Sequence, residues 1–232
     1  IMKVALCLSG IVGTKQKFGK GCDLDYSIGY EYLKDAIIKN ADVDIFIHSW
    51  SIAHKDGLCK LYNPVDCIFE KQVDFGYSNP KSFATLSQAY TRKTSVRLAL
   101  NYEIKNNFKY DLIVLTRFDL AWFKKINFKE LNKDKIYAAG PEAYGKINDL
   151  FFIANSSNME ILTNCYDKLP MLENLNSFDP SFHRAVWKHL NNSNLLPITK
   201  YIFNRPWGSS RWIGDVRLLR LDPNVKFLES SE

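Results

Sequence analysis

Three short, almost wholly apolar runs constrain the fold of this chain more than any other feature. They are Val4-Ala5-Leu6-Cys7-Leu8, Val43-Asp44-Ile45-Phe46-Ile47 and Leu112-Ile113-Val114-Leu115. Each is too short for a buried helix and too uniformly apolar for a strand with one wet face. Each therefore reads as a strand covered on both sides, the signature of a mostly parallel sheet with helices on its faces. Each also stops abruptly in polar residues: Ser9-Gly10, His48-Ser49-Trp50 and Arg117-Phe118-Asp119. In an open α/β sheet the carboxyl ends of the strands form the crevice in which ligands bind. The same pattern that predicts the sheet thus nominates these three strand ends as one site.

The segments between fit helices and further strands. Ser27 is a candidate cap for a helix over about 28–40, with Tyr32, Ala36 and Ile37 on one face. A third short strand is expected over 65–70, completing a βαβ unit. Residues 82–107 lack Gly and Pro, and Leu86, Ala89, Val96, Leu100 and Ile104 share a helical face. Gln88, Arg92 and Ser95 climb another side of that helix, where solvated surface and nucleotide contact are both open readings. Residues 135–139 and 150–154 read as strands, with Asn148-Asp149 at the entrance of the second. Asn155-Ser156-Ser157 should cap a helix running to about residue 169, residues 182–190 a further one, and the tail extended segments with turns. No repeat or linker interrupts the 232 residues. One α/β domain over 1–232 is expected, with two halves meeting near residue 120.

Composition removes several classes. Hydrophobic residues make up 46% and aromatic residues 14%, which is incompatible with a disordered tail. The five cysteines show no CxxC spacing, so neither a zinc ribbon nor a disulfide framework is expected, and a reducing compartment is. No apolar run approaches the roughly 20 residues needed to cross a bilayer and no signal-peptide pattern opens the chain, which points to the cytoplasm. The charges, 31 basic and 25 acidic, mostly alternate, and no basic block interleaved with aromatics suggests nucleic-acid binding. The surplus of +6 suits phosphate-bearing ligands or contact with an anionic membrane. GxxxxGK[ST], GxGxxG after the first strand, GxSxG and HExxH are all absent from the sequence. What remains is a carboxylate, Asp119, at a central strand end beside Arg117. One such carboxylate holds Mg²⁺ or Mn²⁺ when diphosphate oxygens supply the rest of the shell.

Four segments in order resemble a family of bacterial and viral polysaccharide-type glycosyltransferases with a GT-A-like fold. They are Val4 to Gly10, Asp44 to Trp50, Tyr110-Asp111 through Arg117-Phe118-Asp119-Leu120, and Asn148-Asp149-Leu150-Phe151-Phe152-Ile153-Ala154 followed by Met159-Glu160. The helix bearing Ser87, Gln88 and Tyr90 fits as well, and the likeness extends from residue 2 to about residue 165. It implies a transferase moving a sugar from a nucleotide-sugar donor to a hydroxyl of a glycan or lipid-linked glycan. It also implies a nucleotide held by Ser9, Gly10, Lys15, His48, Gln88, Arg92 and Arg117, with Asp119 as ligand of a metal that enters with the nucleotide. Asp149 is the candidate for acceptor binding or general base. The family carries Asp-x-Asp where this chain has Arg117-x-Asp119, so Arg117 takes a direct diphosphate contact as an alternative to a second metal ligand. Transfer of another activated group onto a glycan, and a non-catalytic nucleotide- or sugar-binding module, are the alternative functions. In the tail, Trp207 and Trp212 sit in a Gly/Ser-containing loop over 204–212 with two arginines, Arg205 and Arg211, a segment that either folds over a sugar phosphate or packs the carboxyl-terminal segment onto the core.

Overall fold

The computed structural model describes residues 2–12, 25–142, 145–202, 212–213 and 216–218. In chain order the elements are β1 (Lys3–Gly10), α1 (Tyr26–Ala36), β2 (Asp42–Ser49), α2 (Lys55–Tyr62), β3 (Asp66–Phe69), α3 (Pro80–Asn106), β4 (Leu112–Arg117), β5 (Leu120–Trp122) and β6 (Ile136–Ala138). They continue with β7 (Pro141–Glu142), β8 (Lys146–Ile147), β9 (Phe152–Ala154), α4 (Ser156–Thr163), α5 (Cys165–Leu172), α6 (Phe182–Asn192), β10 (Thr199–Tyr201), β11 (Trp212–Ile213) and β12 (Val216–Leu218). Seven strands form one sheet in the order β10-β6-β9-β4-β1-β2-β3. The pairs within β3-β2-β1-β4 are parallel, as is β6 with β10; β9 alone runs antiparallel to its neighbours β4 and β6.

The apolar runs lie where their composition requires. Val4 through Leu8 and Leu112 through Val114 are fully buried, because both faces of the sheet are covered. Alternate residues serve different cores. Ala5, Cys7, Phe46, Ile113 and Leu115 face α3 and the α4–α6 group, whereas Val4, Leu6, Leu8, Ile45, Ile47, Leu112 and Val114 face α1 and α2. At the period of two along each strand, Ser9, His48 and Arg117 therefore continue the face that carries α3. Glu103, fully buried on α3, accepts from the Tyr110 backbone N–H at 2.8 Å, from Lys109 at 2.9 Å and from the Ser156 hydroxyl, and so ties α3 to the β4 approach and to α4.

Several boundaries differ from those expected. Asp25, not Ser27, caps α1, its carboxylate accepting from the Ser27 N–H at 3.0 Å. That helix stops at Ala36, where the Asn40 amide folds back onto the Ala36 carbonyl at 2.8 Å. The helix expected over 155–169 is two, α4 and α5, broken at Asn164. Ile104, placed on the core face of α3 by its spacing, is 75% exposed, and the last turn buries Glu103 instead. Helix α2 went unread since Gly57 interrupts its pattern. A Cβ there would sit 2.2 Å from the Tyr26 hydroxyl, so the glycine admits a close approach of α1 to α2.

Candidate functional site

The strand order turns between β1 and β4: β2 and β3 lie to one side of β1, and β4 to the other. Crevices open at such switch points, beyond the carboxyl ends. Ser9 is in register with both His48 on β2 and Arg117 on β4, so the three strand ends nominated by the sequence form one row beneath α3. Ser9 is buried and donates to the Thr116 carbonyl at 3.2 Å, locking the β1 and β4 ends together. Gly10 has φ +114°, a conformation for glycine, and among the described residues a Cβ there would meet nothing within 4 Å. Its carbonyl accepts from the Ser49 hydroxyl at 2.9 Å, which fixes the turn.

Four charged side chains and a glutamine gather beside this row. Arg117 grips Asp119 with both arms of its fork, Nε to Oδ1 at 2.8 Å and Nη2 to Oδ2 at 2.7 Å. Burial opposes the Arg117 charge, but Asp119 and Asp149 more than compensate and raise its pKa. Asp149 is 1% exposed. Its Oδ2 accepts from the Gln88 amide and lies 3.7 Å from Arg92 Nη2, its carbonyl accepts from the same guanidinium, and its Oδ1 lies 3.2 Å from His183 Nε2. Burial works to protonate Asp149, yet His183, Arg92, Arg117 and Gln88 together hold its pKa below the ordinary carboxylate value.

Arg92 is the most demanding member. It is 2% exposed, and its pKa falls to about 10, through burial first and the nearby Arg117 charge besides, against the pull of Asp149. Its guanidinium stacks 5.0 Å from the Phe182 ring centroid. Among the described residues its Nε and Nη1 make no hydrogen bond. Unmet donors on a buried cation are costly, so the site keeps this charge at an energetic expense that its neighbours only partly offset.

His48 is also fully buried, and its partners lie outside this cluster. Its Nε2 lies 3.0 Å from Glu70 Oε1, which accepts from the Tyr90 hydroxyl at 3.0 Å as well. Its ring packs edge-on against Trp50, which stacks on Tyr90 with centroids 5.2 Å apart. Burial, partly offset by Glu70, holds the imidazole pKa below its usual value. His48 therefore supports Trp50 and Glu70 from behind at the β2 and β3 ends.

The residues present do not fit a resident Mg²⁺ or Mn²⁺. Both Asp119 oxygens are held by Arg117, the Asp149 oxygens face Gln88, Arg92 and His183, and among the described residues no three His, Cys, Asp or Glu side chains gather as a metal-binding group. Lys15 lies outside the described residues, as do Trp207 and its loop; of Trp212 only its place in β11 is described.

The structure thus brings together Ser9, Gly10 and Arg117 at the strand ends, and Gln88, Arg92, Asp119 and Asp149 beside them. It adds two residues that the sequence reading passed over. Glu70 closes β3 just as Ser9, His48 and Arg117 close theirs, so the strand-end argument, carried to the third strand, would have found it. His183 had no such signal, since it begins a helix remote in sequence from every strand end.

These features describe an α/β protein with a largely buried cluster of paired charges at the switch point of a mixed sheet. The chain matches the family model described as domain of unknown function (DUF7796) over residues 77–196, half of its length, and belongs to that family. The matched stretch contains Gln88, Arg92, Arg117, Asp119, Asp149 and His183, whereas Ser9, Gly10, His48 and Glu70 precede it. No curated protein matches the chain. Among the described residues no helix is long and apolar enough to cross a membrane.

Proposed function

We propose that the protein is a GT-A-like glycosyltransferase that moves a sugar from a nucleotide-sugar donor to a hydroxyl of a glycan or lipid-linked glycan. The observation that carries this reading is the Arg92–Arg117 pair at the β1/β4 switch point, one guanidinium buried with unmet donors and the other at the crevice edge. Breaking a glycosyl–phosphate bond leaves a diphosphate that gains negative charge as it departs. Fixed donors aimed at that charge lower the barrier because they need no reorganisation during the step. Arg117, with a side chain 19% exposed, offers a planar fork matched to phosphate oxygens, and its exchange of Asp119 for diphosphate swaps one bidentate partner for another. Gly10 lets the nucleotide approach the β1 backbone, and Gln88 and Arg92 anchor Asp149 on the acceptor side.

The sheet supports the finer assignment, being mostly parallel with a single reversed strand, β9, which leads out of the Asn148-Asp149 turn. The donor set routes no step through a resident metal; a divalent cation carried in with the nucleotide would first have to win Asp119 from Arg117. Thermal-shift titration with nucleoside diphosphates and nucleotide sugars, with and without Mn²⁺, tests the reading. Concentration-dependent stabilisation by at least one nucleotide is expected. If none raises the melting temperature, the reading is wrong.

A further inference from the structure

Within the charged cluster the members differ in access. Asp149 and Arg92 are sealed, with side chains 2% and 3% exposed, whereas His183 is 35% exposed. His183 stands in the first turn of α6, next to Phe182, whose ring lies under the Arg92 guanidinium. The buried carboxylate and the accessible imidazole lie 3.2 Å apart, and the rest of the Asp149 headgroup is fixed by Gln88 and Arg92. A carboxylate immobilised in this way does two things for an imidazole: it orients the ring, and it stabilises the imidazolium that forms when the ring takes a proton.

We propose that His183 is the group that accepts the proton of the acceptor hydroxyl, with Asp149 as its positioning residue; this rests on the glycosyl-transfer reading above. In the step, the hydroxyl oxygen attacks the anomeric carbon and forms the new C–O bond. The bond from that carbon to the diphosphate oxygen breaks, and its electron pair leaves with the nucleoside diphosphate. The hydroxyl proton passes to the His183 imidazole, which becomes the cationic partner of Asp149. One displacement of this kind inverts the anomeric configuration. Asp149 cannot itself meet the hydroxyl while buried among Gln88, Arg92 and His183, whereas His183 beside it reaches solvent and carries a group able to take a proton.

The test uses the full chain, its His183→Ala and His183→Gln variants, and water as the acceptor. UDP-glucose, GDP-mannose and UDP-N-acetylglucosamine are compared for release of the nucleoside diphosphate, and the fastest donor is kept. For His183→Ala we expect kcat to fall by roughly 10²–10⁴-fold, the range for loss of a general base, while donor KM and nucleoside diphosphate affinity stay within about threefold. Added free imidazole should restore at least about tenfold of the lost rate in His183→Ala, since it supplies the missing proton acceptor, but not in the bulkier His183→Gln. A rate within threefold of the parent, or a loss that imidazole leaves untouched in a variant that still binds the diphosphate, overturns the assignment of His183 while leaving the transferase reading in place. Failure of the parent chain to bind or turn over any of the donors overturns both.

Discussion

Asp119→Asn separates two roles that Asp119 could hold, counter-ion of Arg117 or ligand of a metal, because they predict effects of opposite sign. The change keeps the shape of the side chain and removes its charge. Asp119 is 6% exposed and Arg117 holds it with two bonds of 2.7–2.8 Å, so the pair is largely desolvated. Breaking a buried ion pair by removing one partner costs about 3–5 kcal/mol. The Arg117 side chain keeps some contact with water, and Asp149 still contributes to its field, so about 2 kcal/mol is the better figure here. The variant should fold, with a melting temperature lower by about 4–8 °C for a chain of this size. In the parent, a diphosphate must displace Asp119 from Arg117 and forfeits that same energy. In Asp119→Asn the forfeit is absent, and nucleoside diphosphate binding in EDTA should tighten by roughly 30-fold, the equivalent of about 2 kcal/mol. Calorimetry of parent and variant with UDP and GDP, each in EDTA and in Mn²⁺, reads both quantities. Affinity in EDTA that is unchanged or weaker in the variant would refute the counter-ion argument. Loss confined to the Mn²⁺ arm would instead establish Asp119 as a ligand of an incoming metal.

Arg117→Lys retains a positive charge but cannot form the fork, and should weaken nucleoside diphosphate binding by about tenfold in calorimetry; unchanged affinity would remove Arg117 from the site. Glu103→Ala leaves the Tyr110 N–H and the Ser156 hydroxyl without their buried acceptor, and should cost about 3 kcal/mol in a denaturant titration, with nucleotide affinity retained. Acid should destabilise the fold through His48 and His189, both of which burial holds below the ordinary imidazole value of 6.5. Since the unfolded chain then binds more protons, their contribution is intact above pH 6.5 and is lost as pH falls through the folded-state values; His189→Gln should flatten that slope in melts below pH 6.5, and an unaltered slope would exclude His189.

The parts of the fold that could be read in advance are those where one physical requirement dominates. A strand covered on both faces has to be apolar throughout, and β1, β2 and β4 declare themselves by that alone. The row Ser9, His48, Arg117 followed from where those runs stop. What escaped depends on approach between distant segments. Helix α2 exists because Gly57 lets α1 come close, a relation with no local signature. Gln88, Arg92 and Ser95 read equally well as solvated surface, since polar residues on a helix face say nothing about what lies opposite. Arg92 is buried by Phe152 of β9, Phe182 of α6 and the Asp149 turn folding over it, and Gln88 is drawn to the same turn by Asp149. The pairing of His183 with Asp149 needs the chain to return 34 residues later, and periodicity carries no information about that.

The charges of the cluster explain how one site could serve both ends of a transfer. Arg92 and Arg117 are matched by Asp119 and Asp149, so these four buried charges sum to zero. A diphosphate that takes Arg117 from Asp119 brings excess negative charge to a site already holding two carboxylates, and the fixed charge of the buried Arg92 offsets part of it across the cluster. As the glycosyl bond breaks, the leaving oxygen becomes more negative. In the proposed step the same event makes His183 positive beside Asp149, so the two changes cancel within the cluster rather than relying on water to screen them. The arrangement also gives burial of Asp149 a purpose. A solvated carboxylate would screen the new imidazolium weakly, while one held between Gln88 and Arg92 stays charged and fixed, and so stabilises that cation where the proton arrives.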